Sequence, residues 1–299
     1  LSATFDYYEK KTDNLLSAMN TPLSMGFSSY TANVGEVKNT GWEIGLNGII
    51  LRNQQHRFSW SGRAQLVYNK NKITKLSDAI KEQNEEYLKQ NVEVSNLFYE
   101  GNPQNSIYAV RSLGIDPSTG KEIFLDRNGE LTQTWNPSDK VFLGSSEPTY
   151  RGIAGTMISW KGLSVNISFA YHWGGKVYNQ TLSDKVEVST FTIASKNVDS
   201  RVLSQRWTKE GDVTFFKGFS TEQTRATSRY VMDDKAFEIQ SLDVQYRLDS
   251  QAFRKATRLS YLTFGINMSD LLYFSSVKRE RGTGYPYARA IRGTVSFAF

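Results

Sequence analysis

The chain has 299 residues, no cysteine, and a net charge of +6 from 36 Lys and Arg against 30 Asp and Glu. The lack of cysteine excludes disulfide scaffolds and thiol chemistry. No run approaches the ~18 apolar residues of a membrane helix. Basic residues are spread along the chain, whereas a nucleic-acid interface is a clustered basic face, so we expect no nucleic-acid partner.

The first elements alternate in polarity with the period of two that places successive side chains on opposite faces of a strand. The chain begins directly in such a run, with Leu1, Ala3, Phe5 and Tyr7, and has no initiating methionine. We therefore expect it to be a fragment or processed piece of a longer polypeptide. The polar stretch 11–37 is predicted to be a loop. Strands at 42–50 and 58–68, joined by a tight turn at 52–55, form a predicted hairpin.

A second long connection is predicted at 71–148. Its first part, 75–90, is charged and indicates a short helix, and two short strands flank a turn sequence at 116–120. Strands at 150–160 and 163–173 follow, joined by Lys161 and Gly162. The second of these has the clearest alternation in the chain.

The last elements repeat the arrangement. After a connection at 174–234, strands at 242–248 and 262–268 flank a short connection at 249–257, and a further loop is predicted at 269–284. The final strand, 285–299, ends on alternating apolar residues that resemble the assembly signal of outer-membrane barrels: Val295, Phe297 and Phe299.

Long and short connections therefore alternate strictly, as they do in outer-membrane barrels with long extracellular loops and short periplasmic turns. If Phe299 is periplasmic, Trp42 and Trp173 lie near the extracellular ends of their strands, and Trp60 and Trp160 near the periplasmic ends. Two aromatic levels match the interfacial girdles of a barrel. We therefore predict an all-β, antiparallel transmembrane β-barrel segment. The alternative is a sandwich with tryptophans in its core.

Five segments carry a family resemblance. Residues 33–43 (NVGEVKNTGWE) resemble a signature of TonB-dependent outer-membrane transporters that enters a barrel strand. Residues 144–150 and 174–179 resemble the SusC/RagA branch of that family. Residues 206–212 resemble its RWxxPGD loop, with Glu210 where proline is usual, and residues 278–287 resemble its last loop.

The resemblance covers nearly the whole chain and implies about eight C-terminal strands of a 22-stranded barrel. It implies that the signal peptide, the plug, the TonB box and the earlier strands lie outside this sequence. It also implies import of a large nutrient, usually an oligosaccharide and sometimes a peptide, driven by TonB acting on the plug. The implied partners are a SusD-like surface lipoprotein, outer-membrane lipid, and a second transporter–lipoprotein pair.

No catalytic set and no cofactor are predicted. His56 and His172 have no second ligand at metal-binding spacing, so we expect ordinary polar histidines. Residues 126–130 (DRNGE) depart from a calcium loop because glycine is fourth rather than sixth, so a plain turn is favoured over a metal site.

Candidate ligand-binding residues are loop aromatics, which could stack on sugar rings, and polar residues on the lumen-facing parity. The loop residues are Trp135, Trp207 and Tyr230, each of which could instead pack its own loop. The lumen-facing residues are Asp243, Arg247 and Arg292, which could instead pair with a plug.

Two other functions remain open at this stage. Eight strands can close a small barrel, so the chain could be a stand-alone outer-membrane barrel with a structural or adhesive role. It could also be a soluble carbohydrate-binding β-sandwich.

Overall fold

The computed structural model describes residues 1–20, 29–90, 97–278 and 290–299. Residues 279–287 of the predicted loop motif 278–287, and the start of the predicted final strand, 285–289, lie outside these residues. The strands are β1 Ser2–Asn20, β2 Ser29–Asn53, β3 Phe58–Leu76, β4 Ser106–Ile115, β5 Glu122–Leu125, β6 Leu131–Thr132, β7 Lys140–Ser145, β8 Tyr150–Trp160, β9 Leu163–Tyr178, β10 Val231–Leu248, β11 Tyr261–Ser275 and β12 Ala290–Ala298. The α-helices are α1 Asp78–Gln90, α2 Thr190–Ser195, α3 Arg201–Ser204 and α4 Gln251–Thr257.

Eight long strands form one antiparallel sheet in the order β1-β2-β3-β8-β9-β10-β11-β12. Among the described strands this is a meander, because each strand pairs with the next long strand along the chain. A second, four-stranded sheet, β6-β5-β4-β7, lies in the connection between β3 and β8. The large sheet confirms the predicted all-β, antiparallel fold class.

The two faces of the large sheet differ in chemistry. Directly paired residues share a face, and one such row runs Trp60, Ile158, Val165 and Val244 across four strands. The neighbouring row on the opposite face runs Ser61, Met157, Asn166 and Asp243. We call the first the outer face and the second the inner face. The outer face carries the apolar residues of the strands whose alternating polarity is described above.

Aromatic side chains form a continuous row, the upper aromatic row, at one level of the outer face. Tyr7, Trp42, Tyr68, Tyr150 and Trp173 are direct cross-strand neighbours on five successive strands. Ring centroids are 5.6 Å apart for Trp42 and Tyr68, and 5.1 Å apart for Tyr150 and Trp173.

A second aromatic level lies at the other end of the same strands, with Phe58 opposite Trp160. Tyr150 and Trp160 bound β8, and the ten residue steps between them span ~34 Å along a strand. A strand tilt of ~40° reduces that to about 25 Å, the height of the apolar band of a membrane barrel.

The packed core does not cover the outer face of the large sheet between the two aromatic levels. The apolar outer residues of β11 and β12 stay exposed, by 47% for Phe264 and 62% for Val295. Buried clusters form instead where strands meet the connections, as in the one made by Val34, Val37, Ile73, Leu76, Ile80 and Phe98. The large sheet thus presents an apolar surface that the described residues leave uncovered. Among the described residues, no helix is long and apolar enough to span a membrane.

Several strands continue beyond their predicted ends. Most of the predicted loop 11–37 is strand, because β1 runs to Asn20 and β2 starts at Ser29. The predicted loops 71–148, 174–234 and 269–284 likewise begin inside β3, β9 and β11. These extensions lie beyond the upper aromatic row, where no lipid-facing alternation is required. Bulges between Thr12 and Leu15 and between Glu36 and Val37 further break the period of two.

Candidate functional site

The inner face forms a polar surface with three adjoining hollows. The first, of about 550 Å³, is lined by Asn47, Arg63, Asn166 and Asp243, among others. The second, of about 570 Å³, includes Arg151, His172 and Glu238, and the third, of about 440 Å³, includes Asp6 and Glu43. Cations and carboxylates therefore both line a wall that could hydrogen-bond a polar solute.

Two of the predicted lumen-facing residues belong to one row of this wall. Asn267 pairs with Asp243 on one side and with Arg292 on the other, and its amide Nδ2 donates a hydrogen bond to Asp243 Oδ1. Because strands are ~4.8 Å apart, Asp243 and Arg292 are about two strand spacings apart. The structure thus places both on the inner face, with Asp243 directly lining a hollow.

Arg247 lies at the end of the inner face, near the short connections. Its guanidinium carbon is 4.3 Å from the centre of the Tyr261 ring, and its Nε is 3.2 Å from Asp249 Oδ2. It is separate from the hollow that contains Asp243, so the three predicted lumen-facing residues do not form a single cluster.

His172 has a polar partner on the neighbouring strand, since its Nε2 is 3.1 Å from Asp234 Oδ2. The Asp126 carboxylate is used by its own turn, because Oδ1 accepts the backbone N–H groups of Asn128 and Glu130, both at 2.8 Å. Within the described part of the chain, no three potential metal-ligating residues cluster together.

The two long connections are joined by a buried ionic network. Arg229 Nη2 is 2.8 Å from Glu122 Oε2, and Arg229 Nη1 is 2.5 Å from Glu187 Oε2. The exposed fractions of these side chains are 5% for Arg229, 6% for Glu122 and 0% for Glu187. Thr227 Oγ1 also donates to Glu122 Oε1 at 2.9 Å. The residues 97–149 and 179–230 are therefore held together as one unit, which we call the loop unit.

The network keeps Arg229 charged despite its burial. Desolvation alone lowers the pKa of Arg229, but hydrogen bonds and charge attraction from Glu187 and Glu122 outweigh it and raise that pKa. Removing one partner of such a pair would leave an uncompensated buried charge, which costs about 3–5 kcal/mol. The network therefore makes the stability of each connection depend on the other.

The predicted loop aromatics take part in the packing of this unit. Trp207 Nε1 donates to the Pro117 carbonyl at 2.8 Å, and Trp135 Nε1 donates to the Ala226 carbonyl at 3.1 Å. Tyr230 is fully buried, and its hydroxyl accepts a hydrogen bond from Arg229. The expectation that Tyr230 contacts a ligand is therefore corrected: a side chain with no exposed surface cannot stack on a solute. Trp135 and Trp207 are partly exposed, and their role as ligand contacts stays a prediction.

The motif at 33–43 is explained by contacts between β1, β2 and β3. Asn33 Oδ1 accepts the Gly35 N–H at 2.9 Å, and Asn39 Oδ1 accepts Asn71 Nδ2 at 2.9 Å. Tyr8 lies across Gly41, where any Cβ would be 2.3 Å from the Tyr68 carbonyl oxygen. The motif thus fixes the register of the strands where they leave the upper aromatic row.

Three features were not identified from the sequence: Glu122, Glu187 and Arg229. These residues contact one another across as many as 107 positions, and no local periodicity marks such contacts. The position of Arg229, directly before a long strand and an aromatic residue, is too common to have singled it out.

Curated relatives are similar in sequence to most of the chain. The TonB-dependent receptor P3 of Formosa agariphila is 27% identical over 296 residues, covering 92% of this chain and 28% of the relative. The TonB-dependent receptor SusC of Bacteroides thetaiotaomicron is 27% identical over 215 residues, covering 69% of this chain and 21% of SusC. No family model matches the sequence.

Solved structures share the fold. The RagAB peptide transporter matches with a TM-score of 0.73 at 22% identity, over 92% of this chain and 30% of that one. The RagAB peptide importer in its open-open state matches with a TM-score of 0.68 at 22% identity, over 94% of this chain and 29% of that one.

The sheet, its two faces and its aromatic rows define a wall segment of an outer-membrane β-barrel. Within that class the chain is similar in sequence and fold to a segment of the SusC/RagA-like TonB-dependent receptors. The chain spans less than a third of the length of each of these relatives.

Proposed function

We propose that this chain supplies barrel wall and cell-surface loops to an outer-membrane transporter that imports a large nutrient, an oligosaccharide or a peptide. The observation that carries the proposal is the division of the large sheet into an apolar outer face bounded by two aromatic levels and a polar inner face with hollows. An apolar band facing lipid and a polar lumen are what a solute-conducting barrel requires.

Two architectural alternatives receive less support. A stand-alone eight-stranded barrel needs its first and last strands paired, whereas β1 and β12 stand at opposite ends of the described sheet. A soluble sandwich needs a second sheet covering the apolar face, and residues such as Val295 are 62% exposed. Unpaired edges in lipid cost several kcal/mol for each backbone group, so we expect β1 and β12 to pair with further strands of a larger barrel.

The loop unit would lie outside the cell and contact a SusD-like lipoprotein, which acts as a lid. Its connection 179–230 carries exposed apolar side chains, which favour burial by a partner: Phe191 at 72%, Leu203 at 77%, Val213 at 88% and Phe219 at 55% exposed. TonB, acting through a plug, would supply the energy, and transporter–lipoprotein pairs would dimerise. The lumen-facing Asp243 and Arg292 would contact solute or plug.

The test is uptake by cells that lack the gene for the polypeptide containing this chain. Loss of import of labelled oligosaccharides or labelled peptides, with restoration by the wild-type gene, would identify the substrate class. Restoration without TonB, or unchanged uptake of both classes, would contradict the proposed function.

A further inference from the structure

The net charge of the chain is concentrated at one end of the large sheet. We define the turn-end surface as residues 52–57, 161–162 and 247–260, the three short connections and their flanking strand ends. It contains seven basic residues and one acidic residue, Asp249, a net of +6 that equals the net charge of the whole chain. The remaining residues are balanced, with 29 basic against 29 acidic.

The three connections lie side by side. The Lys161 backbone N–H donates to the Arg57 carbonyl at 3.2 Å, and the Arg247 N–H donates to the Gly162 carbonyl at 2.9 Å. Asp249 lies 3.2 Å from Arg247 and 3.9 Å from Arg57. One carboxylate is thus shared between two arginines and cannot neutralise the other cations of the surface.

Three of these basic residues also adopt a backbone conformation that asparagine or glycine would adopt at lower cost. Five non-glycine residues among those described have positive φ. Asn14 and Asp270 are residue types that tolerate this conformation, but the other three are basic and all lie on the turn-end surface: Arg57 at 50°, Lys161 at 47° and Arg258 at 59°. A left-handed conformation costs such a residue roughly 1–2 kcal/mol, and asparagine or glycine would avoid most of that cost.

If the aromatic pair Phe58 and Trp160 marks a membrane interface, the surface lies at the level of the lipid headgroups. Lys161 directly follows Trp160, which is 50% exposed on the outer face, and its Nζ is 5.4 Å from the centre of the Trp160 ring. Arg57 directly precedes Phe58, which pairs with Trp160. The headgroup zone extends ~5–7 Å beyond the hydrocarbon on each side, which one or two strand residues cover.

We propose that the turn-end surface binds the anionic headgroups of phospholipids in the adjacent leaflet. With the loop unit outside the cell, this is the periplasmic leaflet. The lipid phosphate would be held by Arg57, Lys161 and the basic residues at the end of α4, Lys255 and Arg258. This inference rests on the membrane-barrel part of the proposed function and adds a lipid class that the barrel would select.

The test uses the complete polypeptide that contains this chain, purified in a neutral detergent and titrated with dioleoylphosphatidylglycerol or dioleoylphosphatidylcholine, with bound lipid counted by native mass spectrometry. The variant combines Arg57→Asn, Lys161→Asn, Lys255→Gln and Arg258→Asn. Asparagine suits all three positive-φ positions, so the turns should be preserved while the charge is removed. The matched control removes four exposed lysines from the loop unit: Lys121→Gln, Lys185→Gln, Lys196→Gln and Lys209→Gln.

We expect the wild type and the control to bind phosphatidylglycerol at least about tenfold more tightly than phosphatidylcholine. The variant should lose that preference, since each basic residue near an anionic surface contributes severalfold to the affinity. The preference should weaken between 0.15 and 1 M salt. A wild type without preference, or a variant that retains it, would overturn the proposal. A variant that retains lipid preference but loses uptake would point instead to a protein partner at this end.

The outer-membrane fraction of the same cells separates the two ideas. If the wild type shows no lipid selectivity but reaches the outer membrane and supports uptake, the lipid proposal fails and the transporter proposal stands. If the wild-type protein is absent from the outer membrane, the lipid proposal and the transporter proposal both fail.

Discussion

Arg229 and Glu122 lie 107 positions apart, yet Arg229 Nε and Nη2 donate to Glu122 Oε1 and Oε2 at 3.0 and 2.8 Å. Arg229 reaches Glu187 in the same way. This fork joins two connections that the sequence presents as separate, and it makes the loop unit a single cooperative surface.

Arg229→Met should separate the two connections, because Glu122 and Glu187 would lose their shared cation while staying buried. We expect a local loss of about 3–5 kcal/mol, measured as faster hydrogen exchange in both 97–149 and 179–230. Arg111→Met, at an exposed position on β4, is the matched control. Faster exchange confined to one connection would argue against a single unit.

Gly120 provides a second test of the association between the two connections, through its contact with Trp207. A Cβ at Gly120 would be 2.4 Å from the Trp207 ring, whereas a Cβ at Gly129 would meet nothing within 4 Å. Both glycines have positive φ, 69° and 84°, so alanine carries a similar backbone cost at each. Gly120→Ala should therefore destabilise the loop unit by about 1–3 kcal/mol more than Gly129→Ala does. Equal hydrogen-exchange rates in the two variants would show that Trp207 does not hold this turn.

The outer and inner faces should respond oppositely to charge. Ile167→Arg places a cation at mid-membrane on the outer face, at a cost of ~2–4 kcal/mol, and should lower the amount of assembled, heat-modifiable protein. Asn166→Arg, one residue away on the inner face, should assemble at the wild-type level. Similar assembly of the two variants would mean that the outer face does not meet lipid.

Orientation can be read from protease cleavage of intact cells. We expect cuts within the loop unit and none at 54–57 or 161–162, because the short connections would face the periplasm. Cleavage at the short connections with protection of the loop unit would reverse the assignment.

The aromatic pair Phe297 and Phe299 should matter for assembly. Phe297 and Phe299 pack edge to face, with centroids 5.8 Å apart, on the same parity as Val295. Deleting Phe299 should reduce the outer-membrane fraction, whereas Ser296→Thr, at the opposite parity, should not. An unchanged amount of assembled protein after the deletion would remove the assembly role of this residue.

The strands within the membrane level could be predicted from sequence because lipid and lumen impose opposite chemistry on alternate residues, as in Leu163 to Trp173. The strand extensions could not, since residues such as Lys11 and Lys38 lie where water reaches both faces and polar side chains are allowed on either. The loop unit was also hidden, because Glu122, Glu187 and Arg229 meet only through the tertiary fold. The choice between ligand contact and loop packing for Tyr230 stayed open for the same reason: an aromatic residue outside the predicted strands gives no sign of whether it is buried.

The central claim is that the large sheet separates lipid from an aqueous lumen. Since the chain has no cysteine, single cysteines placed at each position from 163 to 173 would be the unique thiols of this segment. In the complete polypeptide in outer membranes, a membrane-impermeant thiol reagent should label Ser164→Cys, Asn166→Cys and Ser168→Cys and leave Val165→Cys, Ile167→Cys and Phe169→Cys unreacted. Uniform labelling, or labelling of the second set alone, would contradict the account.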